Sequence, residues 1–283
     1  MKLGTWTIVL WLKLVGLATL TAWAQDPGLT SIPIKVKDGY LVVAKGSIGR
    51  LNDLTFLVDT GTSRTLIDPG IAKQLQLEGL DHKLTVFDQE VEAKLVVLPD
   101  LRLGAIHAES PHVIVTNLSS VAQNFGLHAD AVLGMDILRL GSFSIDYKSG
   151  RIRFGDSEPM ASVVPVEDGR PYLILKARID DFPVSLMIDT GCDDVVLFAN
   201  RLPKGFKKGY FTESRALTLV GKAPPTQVGF ANLAVATSPA HKVKLKIIST
   251  GSNDIGYDGI VGVQALRASR IRFNFGEMTV SWK

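Results

Sequence analysis

The chain has 283 residues, 46% of them hydrophobic and 21% charged, which is enough to bury a core as one large domain or two smaller ones. Its 31 basic and 28 acidic residues leave a formal charge of +3, too balanced for a nucleic-acid or polyanion binder. The single cysteine, Cys192, excludes an internal disulfide framework and a cysteine-based zinc site.

The N-terminal segment has the pattern of a secretory signal peptide at residues 1–24. Lys2 precedes an apolar run over residues 6–18, and Ala22-Trp23-Ala24 offers a small-x-small cleavage site. Lys13 interrupts the run, which makes it a poor permanent membrane helix, although an uncleaved N-terminal anchor is the alternative. We expect a periplasmic or secreted protein that has no stable membrane span after cleavage.

The remaining chain has the short, alternating apolar runs that are typical of β-strands. These runs are bounded by Gly, Pro, Asn or Asp, and they predict strands at residues 34–43, 54–58, 84–98, 112–115, 172–179, 184–188, 216–220 and 242–248. Asp68 and Pro69 are a typical N-cap and first-turn pair, and they predict a helix over residues 69–77. Three more short helices are predicted at residues 119–125, 135–140 and 263–268.

Several sequence features recur in the same order at a nearly constant offset. Val58-Asp59-Thr60-Gly61-Thr62 returns 130 residues later as Ile188-Asp189-Thr190-Gly191-Cys192. Ala131-Val132-Leu133-Gly134-Met135 returns as Gly259-Ile260-Val261-Gly262-Val263, with the second glycine 128 residues after the first. This pattern predicts an internal duplication with halves at residues 25–156 and 162–283 and a short linker at residues 157–161.

The two repeated aspartates suggest a catalytic pair. Asp59 and Asp189 each follow an apolar strand and precede Thr-Gly, which places a carboxylate at a strand end on a tight turn. If the halves meet about an internal axis, the two carboxylates face each other and share one proton. Such a pair can activate a water molecule and protonate a carbonyl, which is the chemistry of amide hydrolysis without a covalent intermediate.

On these motifs the sequence resembles the aspartic proteases, and in particular their retropepsin-like branch. The resemblance implies an all-β fold, a pepsin- or retropepsin-like double β-barrel with internal pseudo-twofold symmetry and a few short helices. It implies that Asp59 and Asp189 are catalytic, and that the neighbouring Asp-Thr-Gly residues and two downstream glycines support them. These supporting residues are Thr60, Gly61, Thr62, Thr190, Gly191, Cys192, Gly134 and Gly262.

The two copies differ directly after Asp-Thr-Gly. Thr62 can donate a hydrogen bond to Asp59, whereas the thiol of Cys192 is a weaker donor for Asp189. We therefore expect an asymmetric pair in which Asp59 ionises more readily. Cys192 itself is interpreted as a small buried residue, because no histidine is placed to activate it as a nucleophile.

Three other features are interpreted as surface. Asp193 and Asp194 predict a solvated turn pair, and Lys242, Lys244 and Lys246 predict the solvated face of a strand. Two predicted hairpins are candidates to cover a cleft, one at residues 84–98 with its tip near residues 88–90 and one at residues 216–228 with its tip near residues 221–225. The first tip has no glycine and the second contains proline, and neither composition decides whether the hairpin covers the cleft.

We expect a secreted or periplasmic aspartic endopeptidase that acts on polypeptides as a monomer, binds no nucleic acid and uses no metal or other cofactor. The alternative from another class is a non-catalytic module on the same fold that binds peptides without cutting them. The sequence leaves open the cleavage specificity, the pH optimum and the natural substrate.

Overall fold

The computed structural model describes residues 31–86, 89–155, 160, 162–169, 171–202, 204–206, 211–215, 218–219, 225–236, 238–249 and 256–283. The predicted signal segment, both predicted hairpin tips in part, and most of the predicted linker lie outside these residues. We use "first half" for residues 31–155 and "second half" for residues 160–283.

Strands dominate both halves. Those of the first half are β1 Ser31–Lys37, β2 Leu41–Ile48, β3 Leu51–Val58, β4 Leu66–Ile67, β5 Leu80–Val86, β6 Gln89–Val97, β7 Asp100–Leu103, β8 Ile106–Glu109, β9 His112–Val115, β10 Ala131–Leu133, β11 Phe143–Asp146 and β12 Arg151–Phe154. Those of the second half are β13 Ser162–Pro165, β14 Glu167–Gly169, β15 Tyr172–Ile179, β16 Phe182–Asp189, β17 Val195–Phe198, β18 Thr212–Arg215, β19 Pro225–Val235, β20 His241–Ile248, β21 Gly259–Gly262, β22 Arg270–Asn274 and β23 Thr279–Trp282.

Helices in the described residues are short and lie mainly in the first half: α1 Pro69–Gln74, α2 Ser119–Phe125, α3 Met135–Leu138 and a 3-10 turn at Ala199–Arg201. The predicted N-cap is confirmed, because the side chain of Asp68 accepts a hydrogen bond from the backbone N–H of Gly70. The helix predicted at residues 263–268 is wrong, since this segment forms hydrogen-bonded turns that end at Arg267, a residue with positive φ. The prediction of an all-β chain with a few short helices is confirmed.

Two strand predictions are corrected. Residues 34–43 belong to two strands, because Asp38 and Gly39 adopt left-handed conformations and make the tight turn between β1 and β2. The Asp-Gly pair is a hairpin signal that the apolar pattern around it obscured. Of the strand predicted at residues 216–220, only Thr218 and Leu219 lie within the described residues, and neither belongs to a strand. The strand that pairs with β19 is β18, Thr212–Arg215.

The two halves are joined by a sheet of six antiparallel strands in the order β13-β23-β22-β11-β12-β1. At its centre β11 pairs with β22, and Ser144 lies opposite Arg272. Phe143 and Phe273 form the adjacent pair of the same two strands, and their ring centroids lie 5.0 Å apart. The three strands of each half stand in the same order when counted outward from the centre: β11, β12 and β1 in the first half, and β22, β23 and β13 in the second. Strands at equivalent places in the two halves therefore meet at this joint.

The strands that carry the Asp-Thr-Gly turns are held from one side in the same way in both halves. In the first half β10 runs parallel to β3, and in the second half β21 runs parallel to β16. The backbone N–H of Asp59 donates to the carbonyl oxygen of Leu133 at 3.0 Å. Because these strands are buried and apolar, each aspartate lies at the end of a rigid core element.

Candidate active site

Asp59 and Asp189 each close a tight turn of their own backbone. In the first turn, Oδ1 of Asp59 accepts a hydrogen bond from the backbone N–H of Gly61 at 2.8 Å. In the second turn, Oδ1 of Asp189 accepts the equivalent bond from Gly191 at 2.6 Å. These bonds are typical of aspartate turns, and they aim both carboxylates away from the strands that carry them.

The two carboxylates lie against each other. A Cβ atom added to Gly61 would lie 2.6 Å from Oδ1 of Asp189, and one added to Gly191 would lie 2.9 Å from Cγ of Asp59. Each glycine therefore leaves the space that the opposite carboxylate occupies. The side chain of Asp189 also hydrogen-bonds that of Asp59, so the structure brings the two aspartates together.

Thr60 and Thr190 cross-link the two turns with four reciprocal hydrogen bonds. The hydroxyl of each threonine accepts from the backbone N–H of the other at 3.0 Å. Each hydroxyl also donates at 2.9 Å to a carbonyl oxygen of the opposite strand, that of Ile188 for Thr60 and that of Val58 for Thr190. Both side chains are buried, so these bonds fix the two turns without competition from water.

The residues after the glycines make the pair asymmetric. The hydroxyl of Thr62 donates to Oδ2 of Asp59 at 2.7 Å. The sulfur of Cys192 contacts the carbonyl oxygen of Asp194 at 3.5 Å instead of the carboxyl group of Asp189. A carboxylate that accepts a hydroxyl bond is stabilised in its ionised form, so the bonding pattern favours negative charge on Asp59.

The pKa of Asp189 is raised well above its ordinary value. Burial is the largest cause, and the neighbouring charge of Asp59 adds to it. The N–H groups of Gly191 and Gly61 act in the opposite direction but do not offset these effects. Burial and the neighbouring charge therefore both disfavour the ionised form of Asp189.

Gly134 and Gly262 pack directly on the active-site turns. A Cβ atom at Gly134 would lie 2.8 Å from the carbonyl oxygen of Thr62, and one at Gly262 would lie 2.6 Å from the carbonyl carbon of Asp193. Contacts this close are incompatible with any side chain. The structure thus gives a steric reason for glycine at both positions.

A comparison with known families identifies the first of these turns. Residues 44–137, which contain Asp59 and Gly134, match the family model described as aspartyl protease. This segment of the chain is therefore similar to aspartyl proteases. Among the curated proteins that were searched, none matches this chain. The turn that carries Asp189 lies outside the matched residues.

One pair of residues that supports the first active-site turn was missed in the sequence. The carboxylate of Asp136 accepts from the backbone N–H of Thr65 at 3.0 Å and from its hydroxyl at 2.8 Å. The same hydroxyl accepts from the backbone N–H of Gly134 at 3.0 Å, which ties the end of the active-site turn to α3. The partners are 71 residues apart, and no local pattern indicates such a contact.

The protein has a cleft of about 760 Å³ with both aspartates in its lining. The described parts of both hairpins contribute to its walls: Leu84 and Val86 from β5, and Thr212 and Ser214 from β18. The hairpin tips, at Asp88 and residues 221–224, lie outside the described residues. A size of this order suits several side chains of an extended peptide.

The expectations for Asp193, Asp194 and Lys246 were wrong. Nζ of Lys246 lies 3.0 Å from Oδ1 of Asp193 and 2.9 Å from Oδ2 of Asp194. The side chain of Lys246 is only 18% exposed and that of Asp194 15%, so this is a largely buried ionic cluster and not a solvated turn beside a solvated strand face. Alternating lysines gave no sign of it, because the acidic partners come from a distant loop.

Proposed function

We propose that this protein is an aspartic endopeptidase that hydrolyses peptide bonds with a water molecule held between Asp59 and Asp189. The ionised Asp59 takes a proton from the water, whose oxygen attacks the scissile carbonyl carbon. Asp189 gives its proton to the carbonyl oxygen. In the collapse of the tetrahedral intermediate, Asp59 gives the proton that it took to the amide nitrogen, the C–N bond breaks, and a hydroxyl of the intermediate returns its proton to Asp189. The pair then again holds one proton.

The observation that carries this proposal is the crossed packing of the two turns. Each active-site glycine lies against the carboxylate of the other half, and the two threonines lock the turns together. Two carboxylates at hydrogen-bond distance cannot both ionise cheaply, so the pair holds one proton over a range of pH. The aspartyl protease family match supports the same chemistry.

The substrate we propose is an unfolded or extended polypeptide. An extended chain can hydrogen-bond to the hairpin strands that line the cleft while its side chains enter pockets on alternating sides. The first-half wall of the cleft has the apolar side chains of Leu66, Val86 and Phe125 beside polar ones such as Ser63 and Arg64. We therefore expect cleavage next to apolar side chains.

The test is digestion of denatured casein over a range of pH by the wild type and by two variants, Asp59→Asn and Asp189→Asn. The amide is nearly isosteric with the carboxyl group, so each variant should fold and lose at least about 10³-fold in rate, because it lacks half of the acid–base pair. Asp53→Asn, an exposed change on the same strand as Asp59, is the matched control and should retain full activity.

Pepstatin should inhibit the wild type. Substantial cleavage by either active-site variant would refute the mechanism. Binding of casein without any cleavage by the wild type would favour the non-catalytic module that binds peptides on the same fold.

We also propose that the protein is exported, that residues 1–24 are removed, and that the halves at residues 25–156 and 162–283 arose by duplication. In the described residues no helix is long and apolar enough to cross a membrane. N-terminal sequencing of the mature protein tests the cleavage. Because one chain supplies both aspartates, we expect a monomer, which size-exclusion chromatography with light scattering checks.

A further inference from the structure

The loops that follow the two aspartates are anchored by different means. In the first half, Asp136 binds both the backbone N–H and the hydroxyl of Thr65, as described above. Strand pairing shows which residues stand at the same places in the second half. Leu66 pairs with Val132 and Val196 pairs with Ile260, so Val195 corresponds to Thr65.

The second half has no such anchor among its described residues. Val195 has no hydroxyl group. Gln264, which follows Gly262 by two residues as Asp136 follows Gly134, donates its side-chain amide to the carbonyl oxygen of Asp38 at 3.0 Å. The backbone of the loop between Asp189 and β17 is tied to this segment, because the carbonyl oxygens of Asp194 and Asp193 accept from the N–H groups of Gly262 and Ala265. A side-chain support for the loop comes from elsewhere.

Lys246 provides that support from the neighbouring strand. It pairs with Val196 in the parallel ladder of β17 and β20, whereas Ile114 pairs with Leu66 at the same place in the first half. Ile114 is buried in an apolar cluster, so the second half has a lysine where the first has a core isoleucine. Burying an ammonium group is costly unless it is paired, and the two pairing carboxylates belong to the active-site loop.

We propose that Lys246 is a positioning residue for the Asp189 half of the catalytic pair, holding the active-site loop through Asp193 and Asp194. The inference rests on the proposed function, because it assigns the lysine a task in that reaction. A buried ionic cluster in place of isoleucine contributes little to stability compared with an apolar residue, which points to a role in geometry and charge.

The backbone shows how the cluster reaches the catalytic turn. The carbonyl oxygen of Asp194 accepts from the N–H of Gly262 at 2.9 Å and contacts the sulfur of Cys192, and the N–H of Cys192 donates to the carbonyl oxygen of Asp189. Fixing the side chains of Asp193 and Asp194 thus fixes the turn that aims Asp189.

Charge is the second part of the role. Burial lowers the pKa of Lys246, but the carboxylates of Asp194 and Asp193 more than offset this and raise it, so the ammonium stays charged and balances them. Lys244 also lies 3.0 Å from Asp194. The other titratable groups that are coupled electrostatically to the pair or to the cluster are Asp59, Cys192, Tyr40, Tyr147, Tyr172 and Tyr257.

The experiment compares pH profiles of kcat and KM for the wild type, Lys246→Met, Lys246→Arg and Asp193→Asn. In Lys246→Met the carboxylates near Asp189 lose their nearest cation. We expect kcat at the optimum to fall about 10- to 100-fold through misplacement of the turn, with KM within about twofold of the wild type. We also expect the whole profile to move to higher pH, because unbalanced negative charge disfavours ionisation of the pair.

Lys246→Arg keeps the charge and can bind both carboxylates, so it should retain the position of the wild-type profile. Asp193→Asn removes a negative charge and should move the profile in the opposite direction, to lower pH, which misfolding cannot imitate.

Lys242→Met is the matched control on the same strand. The ammonium group of Lys242 lies 4.7 Å from the centroid of the Phe230 ring and outside the cleft, so kcat and the pH profile should both stay unchanged in this variant.

A titration of carboxyl ¹³C resonances by NMR gives a readout that needs no activity. An upward shift of the Asp189 titration in Lys246→Met supports the inference even if the wild type cleaves nothing, in which case only the proposed function fails. Profiles and titrations of Lys246→Met and Asp193→Asn that coincide with those of an active wild type would overturn the inference and leave the proposed function intact.

Discussion

The hydrogen-bonded threonine pair makes a quantitative prediction about stability. Thr60→Val removes one hydroxyl and keeps the shape of the side chain. That hydroxyl accepts from the N–H of Thr190 and donates to the carbonyl oxygen of Ile188. The change therefore leaves two buried backbone groups without their partners.

Each buried polar group that loses its partner costs about 1–3 kcal/mol. Two such groups predict that Thr60→Val lowers the free energy of unfolding by about 2–6 kcal/mol. Denaturation in urea, followed by intrinsic fluorescence, measures this loss. We also expect catalysis to fall, because the threonine pair sets the distance between the carboxylates.

Thr116→Val is the control for this experiment. Thr116 is buried like Thr60, but its hydroxyl has no hydrogen-bond partner in the described part of the chain. Replacing it with an apolar group should change the unfolding free energy by less than about 1 kcal/mol, or stabilise the protein. If Thr60→Val and Thr116→Val have equal effects, the bonds between the two turns contribute nothing and the reasoning fails.

Two further predictions concern the carboxylates. Because burial raises the pKa of Asp189 in the folded state, its contribution to stability is complete below the unfolded pKa of about 4 and is lost as the pH rises through the folded pKa. The variant Asp189→Asn should therefore have a higher melting temperature than the wild type at neutral pH, and this difference should disappear at acid pH. Equal melting temperatures of the two proteins at every pH would contradict the raised pKa. Thr62→Val removes a hydroxyl that donates to Asp59, a bond worth about 1.5–3 kcal/mol, so its pH–rate profile should differ from that of the wild type. Cys192→Val should leave the profile in place, and equal effects of the two variants would refute the asymmetry.

The sequence predicted the parts of the site that a local pattern can carry. The strand that ends at aspartate, the glycine that permits a close approach, and the glycine packed beside the turn all repeat along the chain, and repetition identified them. The structure places Gly61 and Gly191 against the opposite carboxylates. Their spacing alone could not show that contact, which needs the joint between β11 and β22.

What the sequence did not predict depends on partners that are distant in the chain. Asp136 and Thr65 are 71 residues apart, and Lys246 and Asp193 are 53 residues apart. A lysine in an alternating strand has the same pattern whether it faces water or a buried carboxylate. Only the fold decides between the two, through the strand that places Lys246 beside the active-site loop.

The differences between the halves have a common direction. Thr62 stabilises the ionised form of Asp59, whereas Cys192 gives Asp189 no such bond, and burial disfavours the charge on Asp189. An anchor of two hydrogen bonds in one half is replaced by an ion pair in the other. In a homodimer both carboxylates would receive identical support, and the proton would have no preferred side. One chain that supplies both halves can give each its own residues, and under the proposed mechanism these residues favour the base in the first half and the acid in the second.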